Sequence, residues 1–229
     1  MLVYGKNVAI EVLNSNKYIE KIYLSDKFDD KNILSLIENR NLEVEYLNKK
    51  ELSRFDKYRH QGIILAVEEF SYSEVEDFIL DDAKILILDH LEDPHNFGAI
   101  IRTAEAAGIT GIIIPKNRSV EVNSTVVSTS AGAIENMKIA RVTNLADVIK
   151  DLKNEGFWIV GSDMDGDDYQ TIDYSGKIAL VIGNEGRGIS SLVKESCDFI
   201  AKIPMHGKIN SLNASVAAAI LIYEVIKTK

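Results

Sequence analysis

The chain has 229 residues, with 46% hydrophobic and 27% charged side chains, three prolines and fourteen glycines. Those totals describe a globular protein of one or two domains with a substantial core, and they exclude collagenous, low-complexity and largely disordered classes. The single cysteine, Cys197, excludes an intrachain disulfide, and a net charge of −9 excludes a uniformly basic nucleic-acid binder.

In chain order, YGKNVAIEVLNSN reads as a short helix with Asn7 as its cap, ending in Asn14–Asn16. YIEKIYLS (Tyr18–Ser25) reads as a strand, KNILSLIENRN as a helix, and LEVEYL (Leu42–Leu47) as an alternating, half-buried strand. A basic helical stretch and the strand GIILAVE (Gly62–Glu68) complete an α-β-α-β-α-β unit in the first 70 residues. The polar segment EEFSYSEVED (Glu68–Asp77) joins it to the rest, which divides the chain into residues 1–70 and 71–229.

The second unit opens with KILILD (Lys84–Asp89), an unbroken apolar run of the kind buried on both faces of a sheet. NFGAIIRTAEAAG follows as a helix capped by Asn96 and stopped by Gly108. GIIIP, FWIVGSD, IALVIGN and DFIAKIPM supply further strands. Helical patterns fall at Leu145–Asn154, Gly188–Glu195 and Ser211–Lys227, the last capped by Ser211 and apolar nearly all round. The expected fold class is α/β: a mostly parallel sheet with helices on both faces, preceded by a small α/β domain. In such sheets ligands lie beyond the carboxyl ends of the strands. Three loops leave those ends: HLEDPHN, GNEGRG and PMHGKINSLN.

The GNEGRG loop is not a phosphate loop, because Ile189 stands where Lys and Ser or Thr would follow the last glycine. Nor does it hold the spacing of a dinucleotide fingerprint, which counts against a nucleotide-cofactor oxidoreductase. Glu185 at its centre favours a cationic or hydrogen-bond-donating ligand. On its own residues the loop is equally a tight strand-to-helix turn. The four histidines are scattered, so no metal site is expected. The initial residues lack a secretion-signal pattern, and the longest nearly apolar run, Ala214–Tyr223, is too short to span a bilayer. A cytoplasmic protein with no membrane contact is the expectation.

DPHNFGAIIRTAEAAG, IGNEGRGIS and IPMHGKINSLNASVA together resemble, in order, the three signature motifs of the SpoU (TrmH-type) RNA ribose methyltransferases of the SPOUT superfamily. YGKNVAIEVL and RHQGIILAVE are similar to the ribosomal-protein-like RNA-binding extension of many members. The nearest resemblance is to enzymes that methylate a guanosine ribose in large-subunit ribosomal RNA. The resemblance implies S-adenosylmethionine as cofactor, a homodimer with the site near its interface, and a C-terminal trefoil knot.

It further implies that Asn96, Arg102, Glu185, Ser211 and Asn213 form the catalytic polar set, with Glu185 orienting Arg102 or Asn96. Gly183, Ile203 and Leu212 match cofactor-holding positions, with Met205 and Ala214 beside them. The STSAGA run, including Ser130 and Gly132, matches another segment near the cofactor, or is an ordinary polar turn. In the family the Arg is a proposed general base. Arginine stays protonated, so gripping an RNA phosphate and stabilising the developing alkoxide is the more conservative role for Arg102. RNA contacts are expected from Lys6, Lys49, Lys50, Arg54, Lys57 and Arg59, and from Arg118 and Arg141 on the second unit. Ribosomal RNA is the expected partner. A transfer RNA 2′-O-methyltransferase and a catalytically silent ribosome-assembly factor are the alternatives.

Overall fold

The computed structural model describes residues 1–15, 17–55 and 60–228. The first part alternates strands and helices: β1 (Leu2–Tyr4), α1 (Lys6–Asn14), β2 (Ile19–Ser25), α2 (Lys31–Asn39), β3 (Val44–Leu47), α3 (Lys49–Leu52) and β4 (Ile63–Val67). The strands lie in the order β1-β4-β2-β3, with β2 and β3 parallel and β4 antiparallel to both of its neighbours. The pattern of the sequence does not reveal β1. Three residues are too few to show alternation, and β1 is recruited only by pairing with β4. Asn7 does not cap α1. Gly5, at φ 94°, holds the cap position, and Asn7 lies inside the helix. Asp30 caps α2 by accepting from the Ile33 amide, and Asn48 and Glu51 form a reciprocal capping box on α3.

The second part contains β5 (Lys84–Asp89), α4 (Pro94–Ala107), β6 (Gly111–Pro115), α5 (Ser124–Ser130), β7 (Ile139–Val142), α6 (Leu145–Asn154), β8 (Trp158–Asp168), β9 (Ile178–Gly183), α7 (Ser191–Glu195), β10 (Phe199–Lys202) and α8 (Ala214–Val225). Its six strands form one parallel sheet in the order β10-β8-β9-β5-β6-β7. Both faces are covered, which is why β5, β6 and β9 are buried at every position and apolar along their length, apart from Lys84 and Asp89 at the two ends of β5. The strand period of two sorts their side chains. Leu86, Leu88, Ile112, Ile114, Leu180 and Ile182 pack with α4 and α8, while Ile85, Ile87, Ile113, Ala179 and Val181 pack with α6 and α7.

Two elements here depart from the expectation. β7 is a four-residue edge strand. The Ser/Thr-rich stretch ending in STSAGA is helical rather than a plain turn: Asn123 caps α5, and left-handed Ala131 and Gly132 end it. Helices α4 and α5 approach closely at Gly98, where a Cβ would stand 2.6 Å from the Thr129 Cβ.

The connecting segment is tied to the second sheet, since the Ser73 amide donates to the Ile139 carbonyl at 2.8 Å. One continuous core includes Val3, Val8 and Val12 from the first part and Phe97, Val126 and Ile134 from the second. Among the described residues, no helix is long and apolar enough to cross a membrane.

Candidate active site at the carboxyl ends of β5, β9 and β10

Three loops converge at this end of the sheet, and buried Asp89 fastens two of them. Its side chain is 1% exposed. Asp89 Oδ2 accepts from the Ser190 amide at 2.6 Å, and Oδ1 lies 2.5 Å from His90 Nδ1. A buried carboxylate requires such partners. Asn184 adds a second tie by donating from Nδ2 to the His90 carbonyl at 2.9 Å.

The loop after β9 closes on itself. Asn184 and Gly188 exchange both backbone hydrogen bonds, at 3.0 and 2.9 Å. A Cβ at Gly183 would collide with backbone atoms of Gly188 and Ile189, so only glycine lets the loop fold back there. This turn presents Glu185 at its tip.

Asp93, not Asn96, caps α4. Its Oδ1 accepts from the amides of His95 and Asn96 at 2.6 and 3.3 Å, with Pro94 in the first helical position. The Asn96 side chain, in a residue only 8% exposed, instead reaches across the loops. Its Nδ2 donates to Glu185 Oε1 at 2.6 Å, and its Oδ1 accepts from Asn213 Nδ2 at 2.9 Å.

The last helix differs from expectation in the same way. Asn213, not Ser211, is its cap: Asn213 Oδ1 accepts from the Ser215 and Val216 amides at 2.9 and 3.4 Å. The cap explains a residue otherwise unfavourable at a helix start. The line Glu185–Asn96–Asn213–helix is therefore polarised in one direction. A carboxylate only accepts and helix amides only donate, so both asparagine orientations are forced.

Glu185 borders a cleft of about 520 Å³, within the usual size for a small-ligand site. Gly183, Ile203, Met205, Ser211, Leu212 and Ala214 line it. So do Ser162, Asp163, Met164 and Asp165, which the sequence reading missed. They belong to a stretch of β8 that bulges from its pairing with β10. The register jumps from Gly161 opposite Ile200 to Asp167 opposite Ala201. The alternating acids of SDMDGDD were the available signal. Burial alone would raise the Asp163 carboxyl. The Lys194 ammonium, 3.1 Å away, and backbone hydrogen bonds outweigh it and hold the group below its ordinary value.

Other singled-out residues lie elsewhere. Six positions along α4 turn Arg102 about 120° away from Asn96. Arg102 is exposed and faces Glu11 of α1, whose carboxyl is pushed up by burial against the opposing pull of Arg102. Ser130 is fully buried, with its hydroxyl donating to the Val127 carbonyl at 2.9 Å. Gly132 abuts Glu11, where a Cβ would meet Glu11 Cδ at 2.9 Å. Neither Ser130 nor Gly132 lines the cleft.

Lys49, Lys50 and Arg54 are exposed, and Arg54 stacks on Phe55 at 4.8 Å. Lys6 pairs with Asp30 at 3.0 Å, and Arg141 with Glu121 at 2.6 Å. Arg118 is exposed, whereas Lys57 and Arg59 lie outside the described residues. Among the described residues, no group of three or more His, Cys, Asp or Glu side chains is arranged to hold a metal ion.

An acid-rimmed, apolar-floored cleft beyond the strand ends of a parallel sheet is where α/β proteins take up small ligands. The profile of the SpoU rRNA Methylase family matches residues 83–223, and that for RNA 2′-O ribose methyltransferase substrate binding matches residues 2–73. The chain thus belongs to the SpoU rRNA methylase family of RNA methyltransferases. A Bacillus subtilis protein assigned to the TrmH family of tRNA/rRNA methyltransferases is 42% identical over 99% of this chain and 95% of its own length. The AdoMet-bound rRNA methyltransferase of Sinorhizobium meliloti superposes with a TM-score of 0.82 at 28% identity, over 99% of this chain and 86% of that one. The TrmH/SpoU tRNA-modifying enzyme of A. aeolicus gives 0.58 at 30% identity, over 66% of this chain and 79% of that one.

Proposed function

We propose that this protein transfers the methyl group of S-adenosylmethionine to a ribose 2′-hydroxyl of RNA, with a guanosine of large-subunit ribosomal RNA as its target. The observation that carries the reading is the Glu185–Asn96–Asn213 line at the mouth of the cleft. Coverage supports ribosomal RNA: the rRNA enzyme of S. meliloti aligns with 99% of this chain, the A. aeolicus tRNA enzyme with 66% of it. In this reading residues 1–70 bind RNA, through Lys6, Lys49, Lys50, Arg54 and Arg59, and residues 71–229 hold the catalytic machinery.

The cleft fits the cofactor. Gly183 leaves backbone exposed where any side chain would collide, and Ile203, Met205, Leu212 and Ala214 supply an apolar seat. The acids Asp163 and Glu185 suit a cation. S-adenosylmethionine supplies a methyl group on a positively charged sulfur, so the reaction itself calls for no metal. Glu185 fixes the Asn96 amide, and Asn96 with Asn213 gives a rigid edge against which a ribose is oriented. Ser211 hydrogen-bonds the substrate or its own loop. Orientation of this kind is worth several kcal/mol. Arg102 holds a phosphate and stabilises the developing alkoxide.

Arg102 lies off the Asn96 cluster within one chain, and the reading therefore includes a homodimer in which a second copy completes the site. Exposed Val216 and Tyr223 on α8, 47% and 51% accessible, support such a contact. The trefoil knot belongs to the same reading.

The test is incubation with ribosomal RNA and methyl-labelled cofactor, then alkaline hydrolysis. Label in an alkali-resistant dinucleotide is expected, because a 2′-O-methyl group blocks cleavage. Label only in mononucleotides overturns the ribose assignment. Failure of the protein to bind the cofactor in calorimetry would point to a silent assembly factor.

A further inference from the structure

A second cleft, of about 460 Å³, lies where the two parts of the chain meet. Tyr4 from β1 and Glu69, Phe70 and Tyr72 from the connecting segment form one wall. Residues 121–124, leading into α5, and Arg141 from β7 form the other. It sits beyond the carboxyl ends of β6 and β7, separate from the Glu185 cleft.

Its chemistry is aromatic and acidic. Phe70 and Tyr72 meet edge to face at 5.2 Å, and the Arg141 guanidinium stacks over Tyr72 at 5.1 Å. The Tyr72 hydroxyl accepts from the Val122 amide at 3.0 Å, which fixes the ring across the junction. Arg141 donates from Nη2 to Glu121 at 2.6 Å and to the Lys116 carbonyl at 3.3 Å. Arg141 Nε, buried, has no acceptor. A half-buried aromatic wall with a stacked guanidinium is how proteins hold unstacked bases. The exposed carboxylates of Glu69 and Glu121 repel phosphate but accept from the N–H groups of a base edge. Guanine, with adjacent imino and amino donors, matches a carboxylate best.

We propose that this junction cleft is a second RNA-contact site, which takes one single-stranded base, guanine in preference, against Phe70 and Tyr72, with Glu121 and Glu69 as acceptors. It rests on RNA being the substrate. The site places a nucleotide between the part of the chain that binds RNA and the part that methylates it, and so sets which residue along the strand reaches the Glu185 cleft.

The test uses the full chain and two single-stranded RNA probes, an all-uridine decamer and the same decamer with one central guanosine. Ultraviolet cross-linking followed by peptide mapping is expected to place an adduct at Phe70 or Tyr72. Phe70→Ala, checked for an unchanged cooperative thermal transition, is expected to weaken binding of the guanosine probe by about tenfold or more. Glu121→Gln is expected to weaken the guanosine probe and leave the uridine probe unaffected. Adducts confined to Lys49–Phe55, with Phe70→Ala binding as the parent does, overturn the junction site while RNA binding itself stands. A parent chain that binds neither these probes nor ribosomal RNA overturns both readings.

Discussion

Asn96 and Asn213 stand 117 positions apart in the chain and share a hydrogen bond of 2.9 Å. Each occupies the first turn or the cap of its helix, and each is held by a second partner, Asn96 by Glu185 across the loops and Asn213 by the amides of its own helix α8. The pair joins two signature loops into one rigid edge, and the third loop, carrying Glu185, completes it.

Asn213 does two jobs that substitution can separate. Asn213→Ala loses the cap and is expected to lower stability by about 1 kcal/mol. Asn213→Asp keeps a capping oxygen, yet sets an acceptor against Asn96 Oδ1. Melting close to the parent with methyl transfer reduced tenfold or more is the expected result. Parental activity would show that Asn213 serves only the helix.

Glu185 is exposed and sits on a turn that closes through its own backbone. Glu185→Ala is therefore expected to change stability by less than about 1 kcal/mol. Methyl transfer should fall at least tenfold, because the Asn96 amide loses the acceptor that orients it. Steady-state kinetics beside a denaturant titration distinguishes the two effects.

If a second copy completes each site, Arg102→Ala and Asn96→Ala chains are each inactive alone. An equal mixture, unfolded and refolded together, is expected to regain about a quarter of parental activity, since half the dimers carry one intact site. No recovery would place Arg102 and Asn96 in the same chain's site.

Lys49 and Lys50 form an exposed basic pair next to Arg54. If they neutralise RNA phosphates, replacing both by alanine should flatten the plot of log affinity against log salt. The slope should change by about 0.7–0.9 for each phosphate left without its lysine. An unchanged slope would remove both from the RNA footprint.

Cys197 packs beside Gly161 and donates from Sγ to the Val193 carbonyl at 3.3 Å. Burial pushes its thiol from an ordinary value of 9.0 up to about 12. The folded protein should resist alkylation at pH 8 and react once unfolded. Because the folded value is the higher one, this group's contribution to stability is present below pH 9. It is lost as pH rises towards 12. Cys197→Ala should flatten that alkaline decline.

The sequence pattern is enough to locate β2, α2, β5, β6 and α6, with β5 and β6 marked by continuous apolar runs and the two helices by apolar stripes. It fails for β1 and β7, edge strands of three and four residues held by their partners rather than by their own pattern. It misassigns three caps, Asn7, Asn96 and Ser211. In each case another residue one or more positions away also fits the cap, and backbone geometry alone chooses between them. The consequence is chemical: an Asn96 that does not cap has its amide available for Glu185.

The order of the three motifs, the buried character of the parallel strands and the glycine required at Gly183 are local properties, and the residues themselves determine them. Which polar groups meet is not local. The hydrogen bonds that join residue 89 to 190, 90 to 184, and 96 to both 185 and 213 depend on three loops being brought to one end of a sheet. The same packing turns Arg102 away towards Glu11, bulges Asp163 and Asp165 into the cleft, and opens a second cleft at Tyr72. Those outcomes follow from the burial of a shared core, whose contacts join positions far apart in the chain, and only the tertiary structure decides them.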